Sequence, residues 1–305
     1  MELKRYRTLN SYFKEKFGCR VHKVALDAGF TCPNRDGTKG IGGCIYCNFA
    51  GSGTGAYKKS ISITEQMKEG MNYLGKRFKA EKFIAYFQSF SNTYGRDLKE
   101  KYDESLVDKR VVGLSIGTRP DCINDDIIDL LVNYQNKGYM VWLEMGLQSI
   151  HKRTLEFINR HHSCEDFLFA LRKTKEKGIP VCVHIIFGLP GESFEEMIET
   201  ATFLAHLSID GIKFHNLYVI KETPLENLWK EGKYRPLEQE EYVNIICEAL
   251  IRLPEDTVIQ RLTGDPAKNE LVAPHWSLDK KGTLQLIEEL LLKKNLWQGK
   301  FYFKP

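Results

Sequence analysis

The stretch Pro180-Val181-Cys182-Val183-His184-Ile185-Ile186-Phe187, followed after Gly188-Leu189-Pro190-Gly191-Glu192 by the amphipathic segment 193–206, reads as a strand, a turn and a helix. The run is apolar almost throughout, which is the pattern of a strand covered on both faces and therefore of a parallel sheet under helices. The same unit recurs along the chain. Strands are expected at 21–25, 83–87, 111–116, 140–145 and 211–219, and helices at 64–78, 98–101, 124–136, 150–159 and 164–177. Right-handed crossovers wrap such units into a whole or partial barrel whose reactive residues sit where strands end. After about residue 225 the pattern changes to a helix near 238–250, a short apolar run at 257–260, an irregular segment and a last helix at 278–294. We therefore expect a lead-in at 1–20, an α/β barrel at 21–225 and a compact extension at 226–305 packed on it.

The loop after the first strand carries the chemistry. In Cys32-Pro-Asn-Arg-Asp-Gly-Thr-Lys-Gly-Ile-Gly-Gly-Cys44-Ile-Tyr-Cys47, eleven residues separate the first two thiols and two separate the last pair. Gly37, Gly40, Gly42 and Gly43 let the loop fold back so that all three face one object. Three thiolates suit a soft metal centre, and an iron-sulfur cube fits best because three ligands leave its fourth iron open. Zinc is the competing reading; it needs a fourth ligand, and only His22 is near in sequence.

Composition sets the limits. The chain has 305 residues, 42% of them apolar, and a net charge of +4. No stretch has the length and apolarity of a membrane span, and the N-terminus lacks the apolar core of a signal peptide. A reducing cytoplasm is the expected compartment. Cys19, Cys122, Cys164, Cys182 and Cys247 are scattered singly and read as small hydrophobes.

Together these motifs resemble the radical S-adenosylmethionine (SAM) enzymes, more narrowly the YhcC/YtqA (MnmL-like) branch and the radical SAM half of the Elongator catalytic subunit. The resemblance rests on the cysteine loop, Tyr86–Tyr94, Thr118-Arg119-Pro120-Asp121, Glu144–Ser149, Gly188–Glu192 and Arg261–Asp265, in that order. It implies a partial TIM-type (β/α)6 barrel with a small C-terminal α/β extension. It implies a 4Fe-4S cluster on Cys32, Cys44 and Cys47, and SAM cleaved reductively to methionine and a 5′-deoxyadenosyl radical. By similarity, Gln148 would contact the SAM ribose and Arg160 its carboxylate, through the two-bonded fork that a guanidinium offers. Gln88 and Ser89 stand where a Gly-Gly-Glu motif usually meets the SAM amino group. His184 stands near SAM, as either a functional or a core histidine, and Gly188 would let the chain approach adenine. Gly117 replaces a glutamate of the relatives. Arg119 and Asp121 would orient substrate or shape a turn.

The same resemblance points to the carbon-5 substituent of the tRNA wobble uridine, trimmed from carboxymethylaminomethyl to aminomethyl, with a flavodoxin or ferredoxin type electron donor. Charge and aromatics agree with an RNA partner. Residues 1–23 hold seven Lys or Arg against two acids, and 291–305 hold four Lys and no acid. Tyr6, Tyr12, Phe13, Phe17, Trp297, Phe301, Tyr302 and Phe303 interleave with them, as unstacked bases require; ordinary packing of chain ends is the other reading. A radical SAM enzyme of a small metabolite or tetrapyrrole, and a non-catalytic iron-sulfur protein that carries electrons or senses redox state, are the competing functions.

Overall fold

A computed structural model describes residues 5–48, 51 and 61–303. Its centre is one curled parallel sheet in the order β1 (Val21–Leu26), β2 (Lys82–Phe87), β3 (Val111–Thr118), β4 (Met140–Gln148), β5 (Val181–Phe187), β6 (Gly211–Asn216) and β8 (Val258–Arg261). Helices α2 (Ile63–Phe78), α3 (Leu98–Ser105), α4 (Asp125–Asn136), α5 (Lys152–Phe157), α6 (Cys164–Glu176) and α7 (Phe194–Ala205) fall between successive strands. Helices α1 (Leu9–Phe17), α8 (Pro224–Lys230), α9 (Gln239–Leu250) and α10 (Lys280–Lys293) complete it, with β7 (Val219–Ile220) paired antiparallel to β9 (Leu271–Ala273).

The helices start where their side chains can satisfy the free N–H groups of a first turn. At α2, the Ser62 hydroxyl accepts from the Glu65 N–H while the Glu65 carboxylate accepts from the Ser62 N–H, and Ser163/Asp166 and Ser193/Glu196 repeat the exchange at α6 and α7. Each helix then turns an apolar stripe to the sheet. Met67 and Met71 of α2, Leu131 of α4, Phe167 and Leu171 of α6 and Ala201 and Leu204 of α7 meet Phe83, Leu114, Val141 and Ile185 in the main core.

Two departures from the sequence reading matter. The sheet has seven strands rather than six: the run expected to be part of an extension, Val258–Arg261, pairs parallel with β6. The strand expected at 211–219 is two elements, because the chain leaves the sheet after Asn216 and Val219–Ile220 pairs with β9. Helix α3 also runs to Ser105, and α5 is shorter at both ends than expected.

Alternation along the strands gives the barrel interior three tiers. The lower tier is apolar: Val21, Ile84, Met140, Trp142, Cys182 and Val258 pack with Phe13 of α1. Phe13 is thus buried and Tyr12 sets its ring edge-on to Trp142, so these aromatics stop the lower end of the barrel and are not a surface for RNA bases. Trp297, Phe301 and Phe303 remain exposed. The middle tier is charged, and the upper tier opens on a cavity.

Candidate active site

The cavity lies at the C-terminal end of the parallel strands and has a volume of about 430 Å³, within the range of a site for a nucleoside-sized ligand. Cys32, Cys44 and Cys47 all line it, as do Gln88, Gln148, Arg160 and His184. Ser89 is buried but is not part of the lining, and neither is Gly188. Gly188 instead holds the wall: it takes φ +86°, its carbonyl accepts from the Tyr234 hydroxyl at 2.9 Å, and a Cβ there would come within 3.0 Å of Leu237.

The cysteine loop is shaped by its glycines and clamped by the segment after α5. Gly37, Gly42 and Gly43 take positive φ, a conformation that carries no steric cost for glycine alone. Gly40 has an ordinary φ, but a Cβ on it would strike Asn34 Oδ1 at 2.4 Å and the His161 ring at 2.7 Å. The Ile45 N–H donates to the Ile158 carbonyl at 3.1 Å, Asn34 Nδ2 to the Asn159 carbonyl at 2.6 Å, and Asn159 Nδ2 to the Gly43 carbonyl at 2.7 Å. From the other side, Lys39 pairs with Asp121 at 2.8 Å, and Asp121 takes two bonds from Arg119, each 2.9 Å. Arg119 also reaches the His161 carbonyl. The Arg119–Asp121 pair is therefore a buried strut that joins β3, the cysteine loop and the segment around Arg160.

That segment aims Arg160 at the thiols. Asn159 and His161, on either side of it, both take positive φ, as does Gln148 at the end of β4, where the ladder to β5 slips register. Backbone strain of this kind persists where the surroundings over-determine it and collects at functional sites. Arg160 donates to Cys44 Sγ at 3.6 Å, to the Gly146 carbonyl at 2.8 Å and to His162 Nε2 at 2.9 Å. Burial favours the neutral Cys44 thiol, but Arg160 and Arg119 outweigh it and bring the group below the ordinary thiol value. Burial pushes Cys47 the other way, to about 11. Burial, with Arg160 adding, holds His162 down at about 3, so it faces Arg160 as a neutral acceptor.

These residues suit a cluster on three sulfurs. Three thiols share one cavity, and Arg160 and Asn34 both direct N–H groups at Cys44 Sγ, the kind of hydrogen bonding to a ligand sulfur that tunes such centres. The zinc reading fails on its fourth ligand, because the His22 ring stacks on Phe78 at 5.0 Å, against α2.

Beneath the thiols lies an ionic tier that sequence reasoning missed. Glu144 is fully buried on β4 and accepts from Lys23 Nζ at 2.5 Å and pairs with His184 Nε2 at 2.7 Å. Lys213 of β6 and Ser115 of β3 also bond to its two oxygens. Lys23 reaches Gln260 on β8 at 2.6 Å, which ties the first strand to the last, and Lys213 donates to the Tyr86 hydroxyl at 3.0 Å. Burial favours the protonated acid, yet Lys213 and Lys23 outweigh it and hold Glu144 well below the usual carboxylate range. One carboxylate shared by two ammonium groups leaves the lysines under-compensated: burial, and then Lys23 against the pull of Glu144, lowers Lys213 to about 8. Burial and Lys213 bring His184 to about 4, so it sits on Glu144 as a neutral donor. The available signal was a charged or titratable residue interrupting four of the apolar strands: Lys23, Glu144, His184 and Lys213. Within the described residues, no helix is long and apolar enough to cross a membrane.

Comparison with known proteins agrees with this arrangement. Residues 32–204 match the Radical SAM superfamily and 209–293 the Radical_SAM C-terminal domain. The chain is 42% identical over 301 residues to the uncharacterized protein YtqA of Bacillus subtilis, covering 98% of this chain and 93% of that one. It is 31% identical over 173 residues to a tRNA uridine(34) acetyltransferase of Methanocaldococcus jannaschii, which is 54% of this chain and 30% of that protein. The solved structure of Methanocaldococcus infernus Elp3 superimposes with a TM-score of 0.68 at 21% identity, over 92% of this chain and 64% of that one, a likeness of fold. The chain belongs to the radical SAM superfamily, enzymes that work with a 4Fe-4S cluster and S-adenosylmethionine.

Proposed function

We propose that this radical SAM enzyme modifies the carbon-5 substituent of the tRNA wobble uridine, taking a carboxymethylaminomethyl group to aminomethyl. The observation that carries the reading is the pairing of three thiols with Gln88, Gln148 and Arg160 in one cavity that stays open above a closed barrel floor. Similarity to a tRNA uridine(34) acetyltransferase supports the choice of nucleotide. Cys32, Cys44 and Cys47 hold the cluster. When bound, the cluster and SAM would supply a 5′-deoxyadenosyl radical for hydrogen abstraction from the uridine side chain.

The chain's own residues prepare that event. Arg160 offers the remaining N–H groups of its guanidinium to the carboxylate of SAM while Gly146, His162 and Cys44 hold it in place. Gln148 and Gln88 reach the cofactor from the ends of β4 and β2. Neutral His184, held by Glu144, forms part of the floor. Ser89 and Gly188 act through the walls rather than by contact. A reduced flavodoxin or ferredoxin supplies the electron. Mass spectrometry of tRNA nucleosides from a strain lacking the gene tests the reading: carboxymethylaminomethyluridine should accumulate at the expense of the aminomethyl form, and an unchanged wobble profile overturns it.

A further inference from the structure

Four guanidiniums line the cavity, and three of them have partners among the described residues. Arg35, Arg119, Arg160 and Arg261 all line it. Arg35 donates to the carbonyls of Cys47 and Asn48, Arg119 pairs with Asp121, and Arg160, held on Gly146, His162 and Cys44, is the guanidinium assigned above to the SAM carboxylate. Among the described residues, the Arg261 side chain has no hydrogen-bond or ion-pair partner. It stands at the end of β8, in register with Lys213, and the tier below it already sets two lysines against one carboxylate. Of the acids on the same rim, Asp265 pairs with Lys280 at 2.8 Å and Glu270 accepts from the Asn48 amide at 3.2 Å, and neither is paired with Arg261. A half-buried guanidinium facing a cavity is an unused two-bonded receptor, and the group that matches its fork is a planar anion. Arg160 follows β4, in the middle of the sheet, whereas β8 is its last strand, so the two guanidiniums approach the cavity from different walls. An anion on Arg261 is therefore separate from one on Arg160.

We propose that Arg261 is the receptor for a carboxylate on the substrate, so that the site selects a wobble-uridine side chain ending in a carboxylate over the same chain ending in an ester or an amine. This rests on the tRNA reading above and adds to it the residue that sets specificity. It also gives the seventh strand a purpose: β8 brings this guanidinium to the cavity, and Lys23 on Gln260 fixes the strand that carries it.

The test uses the reconstituted enzyme with SAM bound and three anticodon stem-loops. Their wobble uridines carry carboxymethylaminomethyl, its methyl ester or aminomethyl, and binding is read by fluorescence anisotropy. A charge-assisted pair of this kind makes the acid bind about 10-fold to 100-fold more tightly than the ester. Arg261→Gln should bind acid and ester alike, and Arg261→Lys should keep part of the preference, since a single ammonium retains charge without the fork. A wild type that binds acid and ester equally overturns the inference, as does an Arg261→Gln protein that keeps the preference. A wild type that binds none of the three loops removes the tRNA reading itself, and this inference with it.

Discussion

Replacing Glu144 by Gln keeps the shape of the side chain and removes its charge. The structure then leaves Lys23, at 2.5 Å, and Lys213 buried around a neutral amide, with His184 also directed at it. Breaking a buried ion pair from one side costs about 3–5 kcal/mol. Part of that is relieved by Lys213, which already sits at about 8 and loses its proton once its counter-charge is gone. The sign of the pH dependence follows. Unfolded lysine keeps its proton across this range, so a native state that has given it up gains stability as pH rises. The variant is in that condition at pH 7, whereas the wild type enters it only above about 8. The deficit of the variant should therefore shrink by about 1 kcal/mol between pH 7 and 8. At pH 7 the apoprotein should lose about 6–12 °C in thermal midpoint, followed by circular dichroism. Adding Lys213→Met should recover part of the loss by removing the stranded ammonium. A midpoint within about 2 °C of wild type, or a deficit that does not change with pH, refutes the account of this tier.

Two further outcomes follow from the site. The Arg119–Asp121–Lys39 strut holds Asp121 at about 2 against the opposing effect of its burial. A carboxyl lowered in the folded state lends stability that is complete above its unfolded pKa and disappears as pH falls from about 4 to 2. Asp121→Asn should therefore cost about 2 kcal/mol at pH 7, and the gap to wild type in urea unfolding should close over that acid window; a gap that persists at pH 2 argues against the strut. Gly188→Ala should destabilise by about 1–2 kcal/mol, because it places a Cβ at φ +86° against Leu237. SAM affinity should change less than threefold in calorimetric titration, and a tenfold loss would show that Gly188 meets the cofactor directly.

The strands with long apolar runs were legible, since a strand buried on both faces has few ways to be written. β8 was not, because four residues, two of them Gln260 and Arg261, carry too little pattern to separate a sheet strand from a loop. β7 was read as the end of β6 because nothing in Tyr218-Val219-Ile220 marks the change of partner; that is set by Leu271–Ala273, some fifty residues on. The cysteine loop was legible because its ligands are local, spaced by glycines that have few other uses. Its clamps were not: Asn34 with Asn159, and Lys39 with Asp121, are contacts across the fold. The ionic tier was hidden for the same reason, with Lys23 and Glu144 separated by 121 positions.

Phe13 and Trp142 stopper the lower end of the barrel, and traffic through the site is then single-file. Under the function proposed above, a uridine bound over SAM at the strands' C-terminal ends would have to leave before methionine and deoxyadenosine could be exchanged for fresh SAM. The stoppered vessel would then set the order of turnover on that reading: small molecules load first, the RNA caps them, and unloading runs in reverse.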